Sequence, residues 1–260
     1  KTGEPYLFST TYDRGEEGYL CTDPMIMLLT PSWYRQFKET IDSRPNSVVK
    51  LIENTEDKKG IENFLGTAFY LNGAFGAAFN TKEVSISASV LVQKPDFSNL
   101  PEIQVPVMNP DIVRWMLLMG QMDKPTTEDE EVIYKLYYKF FSAAMPRAKL
   151  LIPLDATSGF PDNNQGANSF VLKEDARFNI PVREGKDGRN SVPVFTDWRR
   201  LRMVFDEKWN GMIEEAGGMI ENFDYAINPT EYYEAGAYVS LTAFRDMQKL
   251  SEELEGRDKK

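Results

Sequence analysis

The chain has 260 residues, 42% hydrophobic and 12% aromatic, so it is long enough and apolar enough to form a folded core. Its formal net charge of −10 argues against nucleic acid, whose phosphates are neutralised by Lys and Arg, and against an anionic membrane surface. There is no histidine and only one cysteine, Cys21. These counts exclude Ser-His-Asp and Cys-His catalysis, His-ligated metals, Cys₄ zinc sites, iron–sulfur clusters and an intrachain disulfide framework.

No apolar stretch reaches the roughly 18–20 residues that cross a bilayer, so the sequence predicts no membrane partner. The chain begins at Lys1 rather than at methionine, which leaves open whether a tag, a signal peptide or an upstream segment was removed. We expect a cytoplasmic location.

The first third of the chain predicts one helix and one β-hairpin. Thr30-Pro31 is typical of a helix start, because the threonine oxygen accepts from free backbone N–H groups and proline tolerates the first helical position. Residues 84–92 alternate apolar and polar side chains, which predicts a strand, and the glycine-rich run 69–79 is its expected hairpin partner. Prolines cluster over residues 95–108. We therefore place a domain boundary there, between an N-terminal domain at 1–105 and a second domain at 106–260.

The middle of the chain predicts two helices and a strand. Asn109-Pro110 starts the first helix, which stops near Gly120. Thr127 begins the second with the spacing of a capping box, and Pro146 ends it. The apolar run 148–154 then predicts a strand.

The last third alternates short strands with helices. Strands are predicted at residues 170–173, 178–182 and 192–195. Helix starts are predicted at Thr196 or Asp197 and at Asn228-Pro229, and a final amphipathic helix over 241–254. Strands interleaved with helices predict the α/β class, with α+β left open.

Two faint internal similarities leave open a tandem duplication of one α/β domain. Thr30-x-x-Trp33 resembles Thr196-x-Trp198, each after a hydrophobic strand, and Tyr70-Leu71-Asn72 resembles Tyr225-Ala226-Ile227-Asn228. The spacings differ by about ten residues, so the relation of the first domain to the second is not established.

The second half carries an ordered series of short motifs. A helix rich in Tyr and Phe leads to Leu150-Leu151-Ile152-Pro153-Leu154, and a polar loop leads to Val192-Pro193-Val194-Phe195-Thr196-Asp197-Trp198. Tyr225-Ala226-Ile227-Asn228-Pro229 follows a further helix and an acidic stretch. This order resembles the N-terminal domain of the SseB family, the enhanced-serine-sensitivity proteins, over about residues 110–250. Residues 1–105 do not obviously match that domain, and no SseB C-terminal domain is recognisable.

The resemblance implies a small mixed-sheet α/β domain with no established catalytic residue and no cofactor. It therefore implies a non-enzymatic protein-interaction or regulatory module whose partner is another protein, with self-association left open. The residues themselves leave one alternative from another class. Without histidine, acid–base catalysis at neutral pH would require a carboxylate with a shifted pKa, a lysine or a tyrosine. A carboxylate-based, metal-assisted hydrolase without histidine ligands is therefore the second hypothesis.

The junctions that follow two predicted strands give the candidate site. In an open α/β sheet, strand ends often border the ligand crevice. The predicted shallow interaction surface consists of Asp197, Trp198, Asn228, Tyr232 and Tyr233. The alternative is that these residues cap helices and pack the core.

One polar loop contains side chains that bind hard cations, namely Asp155, Asp162, Asn163 and Asn164. Their spacing is not that of an EF-hand loop, so a solvated loop is the expected interpretation. We predict no metal and no cofactor, and we expect Cys21 to be a small core residue.

Overall fold

A computed structural model describes residues 4–43, 49–122, 124–155, 179–184, 188–218, 223–231 and 235–258. Helices and strands are mixed along the chain, which confirms the predicted α/β class. The helices are α1 (Pro31–Asp42), α2 (Gly60–Gly66), α3 (Ala88–Leu91), α4 (Pro110–Met122), α5 (Glu128–Ala144), α6 (Trp198–Arg202) and α7 (Leu241–Asp258). Within the described ranges, no helix combines the length and the apolar character that a membrane crossing requires.

The strands are short, and most belong to two mixed sheets. They are β1 (Leu7–Phe8), β2 (Thr11–Asp13), β3 (Tyr19–Cys21), β4 (Met25–Leu28), β5 (Gly76–Phe79), β6 (Ser85–Ser87), β7 (Lys149–Asp155), β8 (Arg183–Glu184), β9 (Asn190–Val194), β10 (Trp209–Glu215), β11 (Asp224–Ile227) and β12 (Ala237–Val239). β2 and β3 form a separate antiparallel pair.

The first half of the chain forms a four-stranded sheet in the order β1-β4-β5-β6. The predicted hairpin is confirmed where β5 pairs antiparallel with β6, but both of its arms are shorter than predicted. Residues 67–71 continue α2 as a wide helical turn, and the chain beyond Ser87 forms α3. The last backbone hydrogen bond of this hairpin runs from the Ala88 N–H to the Phe75 C=O. Among the described residues, no strand pairs with residues 89–92, although they continue the predicted strand pattern.

The second half forms a four-stranded sheet in the order β12-β11-β9-β8. β7 and β10 pair antiparallel, and β7 also contacts β9 through two backbone bonds of 2.9 Å between Leu151 and Phe195. The predicted strands at 148–154 and 192–195 are confirmed as β7 and β9. The predicted strand at 178–182 is wrong for the described residues 179–182, since the short strand lies at β8 instead. The predicted strand at 170–173 lies outside the described residues.

Helix starts follow the predicted caps in three places. Thr30 accepts from the Trp33 N–H at 3.4 Å, Thr127 from the Glu130 N–H at 3.2 Å, and Asp197 from the Arg200 N–H at 2.9 Å. α4 continues past Gly120 to Met122. These caps are local hydrogen bonds, which explains why the sequence alone predicts them.

The helix predicted at Asn228-Pro229 is wrong, because residues 229–231 are irregular. Asn228 has a φ of +44°, in the left-handed region that asparagine tolerates better than most residues. Its side chain bonds to Thr196 rather than to the N–H groups of a following helix.

The two sheets have the same order of pairings. An antiparallel pair, a parallel pair and a second antiparallel pair follow one another in β1-β4-β5-β6 and again in β8-β9-β11-β12. The residue after the second parallel strand is an asparagine with positive φ in both, Asn80 at +62° and Asn228 at +44°. The counterpart of Asn228 is therefore Asn80, and not Asn72 as the sequence similarity suggested.

A single cluster of buried apolar side chains contains residues from both halves, among them Ile26, Leu117, Phe141, Leu150 and Phe244. α4 contacts β1 and α5, and α5 contacts α7, so these three helices pack against one another in sequence. The sheets share no described strand. The domain boundary near residues 95–108 stays a prediction.

Candidate functional site

Asn228 holds the junction between β9 and α6. Its Oδ1 accepts from the Thr196 N–H at 2.9 Å, and its Nδ2 donates to the Thr196 hydroxyl oxygen at 3.0 Å. Its Nδ2 donates to the Ala235 C=O at 2.7 Å. Both Asn228 and Thr196 are buried, so these bonds satisfy polar groups that have no access to water. Asn228 thus joins the ends of two neighbouring parallel strands.

The residues next to this junction form a buried polar cluster, defined here as Glu4, Asn72, Asp197 and Arg200. Arg200 Nη1 donates to Asp197 Oδ2 at 2.5 Å. Its Nη2 donates to Asn72 Oδ1 at 2.8 Å and lies 3.2 Å from Glu4 Oε1. Asn72 Nδ2 closes the ring by donating to Glu4 Oε2 at 2.5 Å. The cluster therefore joins the first half of the chain to the second.

Both carboxylates of the cluster are held by arginine. Arg199 Nη1 also binds Glu4 at 2.7 Å, and the Thr196 hydroxyl donates to Asp197 at 2.8 Å. A buried carboxylate that already accepts several charged or polar donors is a poor general base, and a divalent cation would have to displace Arg200. The geometry of the cluster is thus that of a structural link.

The predicted interaction surface is divided by the fold. Asp197 and Asn228 are interior and take the capping and junction roles described above. Trp198 is partly exposed and packs against Gly211, where an added Cβ would lie 2.8 Å from the indole ring. Tyr232 and Tyr233 lie outside the described residues, so the predicted surface itself stays a prediction.

The predicted cation loop is described only at its first member. Asp155 ends β7, whereas Asp162, Asn163 and Asn164 lie outside the described residues. In the ranges that the structure covers, no three acidic or cysteine side chains converge as metal ligands would.

A groove of about 340 Å³ lies between α4, α5, α7 and β12, and we call it the tyrosine groove. It is lined by Met116, Met119, Gly120, Tyr134, Tyr138, Phe141, Gly236, Ala237, Tyr238, Val239, Ala243 and Met247. None of these lining residues is charged. The sequence alone does not reveal the groove, because its walls come from four separate elements. Its local pattern is limited to the methionines of α4 and the tyrosines of α5, each spaced to share one helical face.

Two tyrosines at the groove are exposed, Tyr138 at 43% and Tyr238 at 52%. The Tyr238 hydroxyl donates to the buried carboxylate of Asp224, which also accepts from the Leu241 N–H at 2.7 Å. The hydroxyl is therefore anchored while the ring remains accessible. An aromatic side chain held in this way loses little conformational entropy on binding.

Burial acts on two proton-bearing groups near α5. It raises the pKa of Tyr137, with a smaller rise from nearby Cys21. It also raises the pKa of the half-buried Cys21 thiol, against a smaller lowering from the contact with Thr11 Oγ1 at 3.2 Å. Cys21 is packed against the core, as expected for a small apolar residue.

We expect the free energy of unfolding to be nearly constant from pH 6 to 8 and to fall above about pH 9. The chain has no histidine, so few groups titrate in the lower window. In the unfolded chain Tyr137 and Cys21 have their ordinary pKa values of 10.0 and 9.0. Because burial raises both pKa values in the folded chain, these side chains stay protonated there at a pH at which the unfolded chain loses the same protons. Their contribution to the free energy of unfolding is therefore fully present below these unfolded-state pKa values and is lost as the pH rises above them. Urea unfolding from pH 6 to 10 measures this, and Cys21→Ala should reduce the fall that begins near pH 9. A steep change between pH 6 and 8 would contradict the prediction.

No curated protein and no solved structure matches the chain significantly. A family model matches a segment that begins within α5 and ends just after β10, and this segment is shorter than the predicted range of 110–250. Residues 137–216 are similar to the SseB protein N-terminal domain, which confirms the predicted resemblance over that segment.

Proposed function

We propose that this chain is a non-enzymatic protein-interaction module that binds an apolar segment of another protein in the tyrosine groove. The observation that carries the proposal is the pair of exposed tyrosines beside an apolar floor, Tyr138 and Tyr238. The SseB-like segment contributes part of α5, which forms one wall.

The composition of the groove supports this role. Tyrosine is enriched at binding hot spots, where a ring enters an apolar pocket. Methionine adapts its shape to different apolar partners, and Met116, Met119 and Met247 line the groove. The uncharged lining favours an apolar segment over a charged one.

The hydrolase alternative requires carboxylates with free lone pairs. The acids that converge in the buried polar cluster, Glu4 and Asp197, are both bound to Arg200. This arrangement favours the interaction module.

A Tyr138→Ala, Tyr238→Ala double variant is expected to weaken partner binding at least tenfold, since a hot-spot truncation costs about 2 kcal/mol or more. The experiment captures partners from the native host with wild-type protein and then measures the affinity of the captured protein for each variant. Tyr12→Ala is the matched control, because Tyr12 is similarly exposed but lies on β2, away from the groove. We expect it to bind as wild type does.

A folded double variant that binds the same partner with unchanged affinity would contradict the groove as the binding site. A Tyr232→Ala, Tyr233→Ala variant then tests the surface predicted from the sequence. Loss of binding in that variant alone would move the site to the segment after Asn228.

A further inference from the structure

The two sheets have the same register and the same terminal hydrogen bonds at their parallel strands. Asn80 Oδ1 accepts from the Thr30 N–H at 2.9 Å, as Asn228 Oδ1 does from the Thr196 N–H at 2.9 Å. In both pairs the asparagine side chain also bonds to the threonine hydroxyl, at 3.1 Å and 3.0 Å. The Asn80 N–H donates to the Leu28 C=O at 2.8 Å, and the Asn228 N–H to the Val194 C=O at 2.8 Å. Residues 25–30 therefore correspond to residues 191–196 without a gap.

The corresponding positions differ in burial. Phe195 is inaccessible to solvent, whereas its counterpart Leu29 is only half-buried. Pro193 is buried, whereas its counterpart Met27 is 36% exposed. The same arrangement is thus covered in the second half and open in the first.

The cover in the second half is β7. Leu151 of β7 bonds with both the N–H and the C=O of Phe195. Its neighbours Leu150 and Ile152 are buried and apolar. β7 also packs against α6, the helix that follows Phe195.

The first half lacks this cover in the part of the chain that the structure describes. β1 pairs with Met25 and Ile26 only, and no described group bonds the N–H or C=O of Leu29. α1, which corresponds to α6, has no buried residue. Its rings Trp33 and Phe37 contact each other with centroids 4.4 Å apart.

We propose that the outer edge of β4 at Met27–Leu29, with the apolar face of α1, accepts an extended apolar strand of a partner protein. The strand pairs antiparallel beside Leu29, in the place that β7 takes beside Phe195. Backbone bonds at a sheet edge give affinity in this mode of recognition, and alternate side chains give specificity. The bound strand is expected to be apolar, because β7, which takes the corresponding place in the second sheet, is a buried and largely apolar strand. The site shares no residue with the tyrosine groove, so either can fail independently.

The test uses a fluorescein-labelled peptide with the sequence of residues 148–155, which reproduces β7 of this chain, and a scrambled peptide of the same composition. We expect saturable binding of the first, at least tenfold tighter than the scrambled peptide, in anisotropy titrations of the full chain. Met27→Glu and Trp33→Ser should each weaken binding at least tenfold. Val90→Ser, at an exposed apolar residue on α3 beside the opposite edge of the first sheet, is the control and should change the affinity less than twofold. Tyr138→Ala is measured alongside it to detect binding in the tyrosine groove. Should Met27→Glu unfold, Phe37→Ser on α1 replaces it.

Three results would overturn the proposal. One is equal binding of the ordered and scrambled peptides. Another is unchanged affinity in the folded Met27→Glu and Trp33→Ser variants, or loss of binding in Tyr138→Ala, which would place the peptide elsewhere. The third is dimerisation of the free chain in sedimentation experiments that Met27→Glu abolishes, since a second copy would then occupy this edge.

Discussion

Replacing Arg200 with alanine is expected to lower the free energy of unfolding by about 3–5 kcal/mol, the usual cost of removing one partner from a buried ion pair. Arg200 is buried and donates to Asp197, Glu4 and Asn72. The alanine variant leaves two carboxylates without their shared cation in the interior. Urea denaturation at pH 7 measures the loss. Because the cluster links the two halves, we also expect a less cooperative transition.

Arg199→Ala is the matched control for this prediction. Arg199 binds the same Glu4 carboxylate but is partly exposed, so its pair is screened by water. We expect a loss of no more than about 1 kcal/mol. Equal losses in the two variants, or a loss below about 1 kcal/mol in Arg200→Ala, would show that the cluster does not hold the halves together.

Replacing Phe195 with alanine is expected to cost about 3–5 kcal/mol, the range measured for large aromatic residues in cores. Phe195 has no exposed surface and packs edge-on against Phe205 with ring centroids 5.8 Å apart. Leu151 and Leu201 complete its surroundings. The variant leaves a cavity that β7, held by its pairing with β10, cannot fill. Urea denaturation monitored by tryptophan fluorescence measures the change.

Leu29→Ala provides the comparison, because Leu29 occupies the same position in the first sheet. Its side chain is only half-buried, so the loss should be smaller than for Phe195→Ala by at least about 1 kcal/mol. Equal losses would mean that the first sheet is covered as well as the second. That result would also count against an open strand-acceptor edge at β4.

Helix caps and apolar runs could be predicted from the sequence. Thr30, Thr127 and Asp197 each bond to an N–H three residues later, so the pattern and the interaction lie in the same short window. The strands β7 and β9 each contain a continuous apolar run, residues 150–154 and 192–194, and these residues are buried. The order of these motifs is also what made the SseB resemblance recognisable.

The residue at which a strand ends could not be predicted from its own sequence, because it depends on how far the neighbouring strand extends. The alternation over residues 84–92 is a valid strand pattern, yet pairing stops at Ser87 because the partner strand β5 begins at Gly76. Asn228 illustrates the same limit. Its position before Pro229 is typical of a helix cap, but its side chain bonds to Thr196 on a different strand.

The sequence by itself determined the α/β class, the absence of histidine chemistry and the main caps, since these depend on composition or on residues within one turn of each other. Only the tertiary structure decided that Glu4 meets Arg200, 196 residues away, and that four elements enclose the tyrosine groove. It also decided that β7 covers Phe195 in the second sheet, whereas no described strand pairs beside Leu29 in the first. Contacts of this kind depend on how distant elements pack, and packing is a property of the whole folded chain rather than of any local pattern.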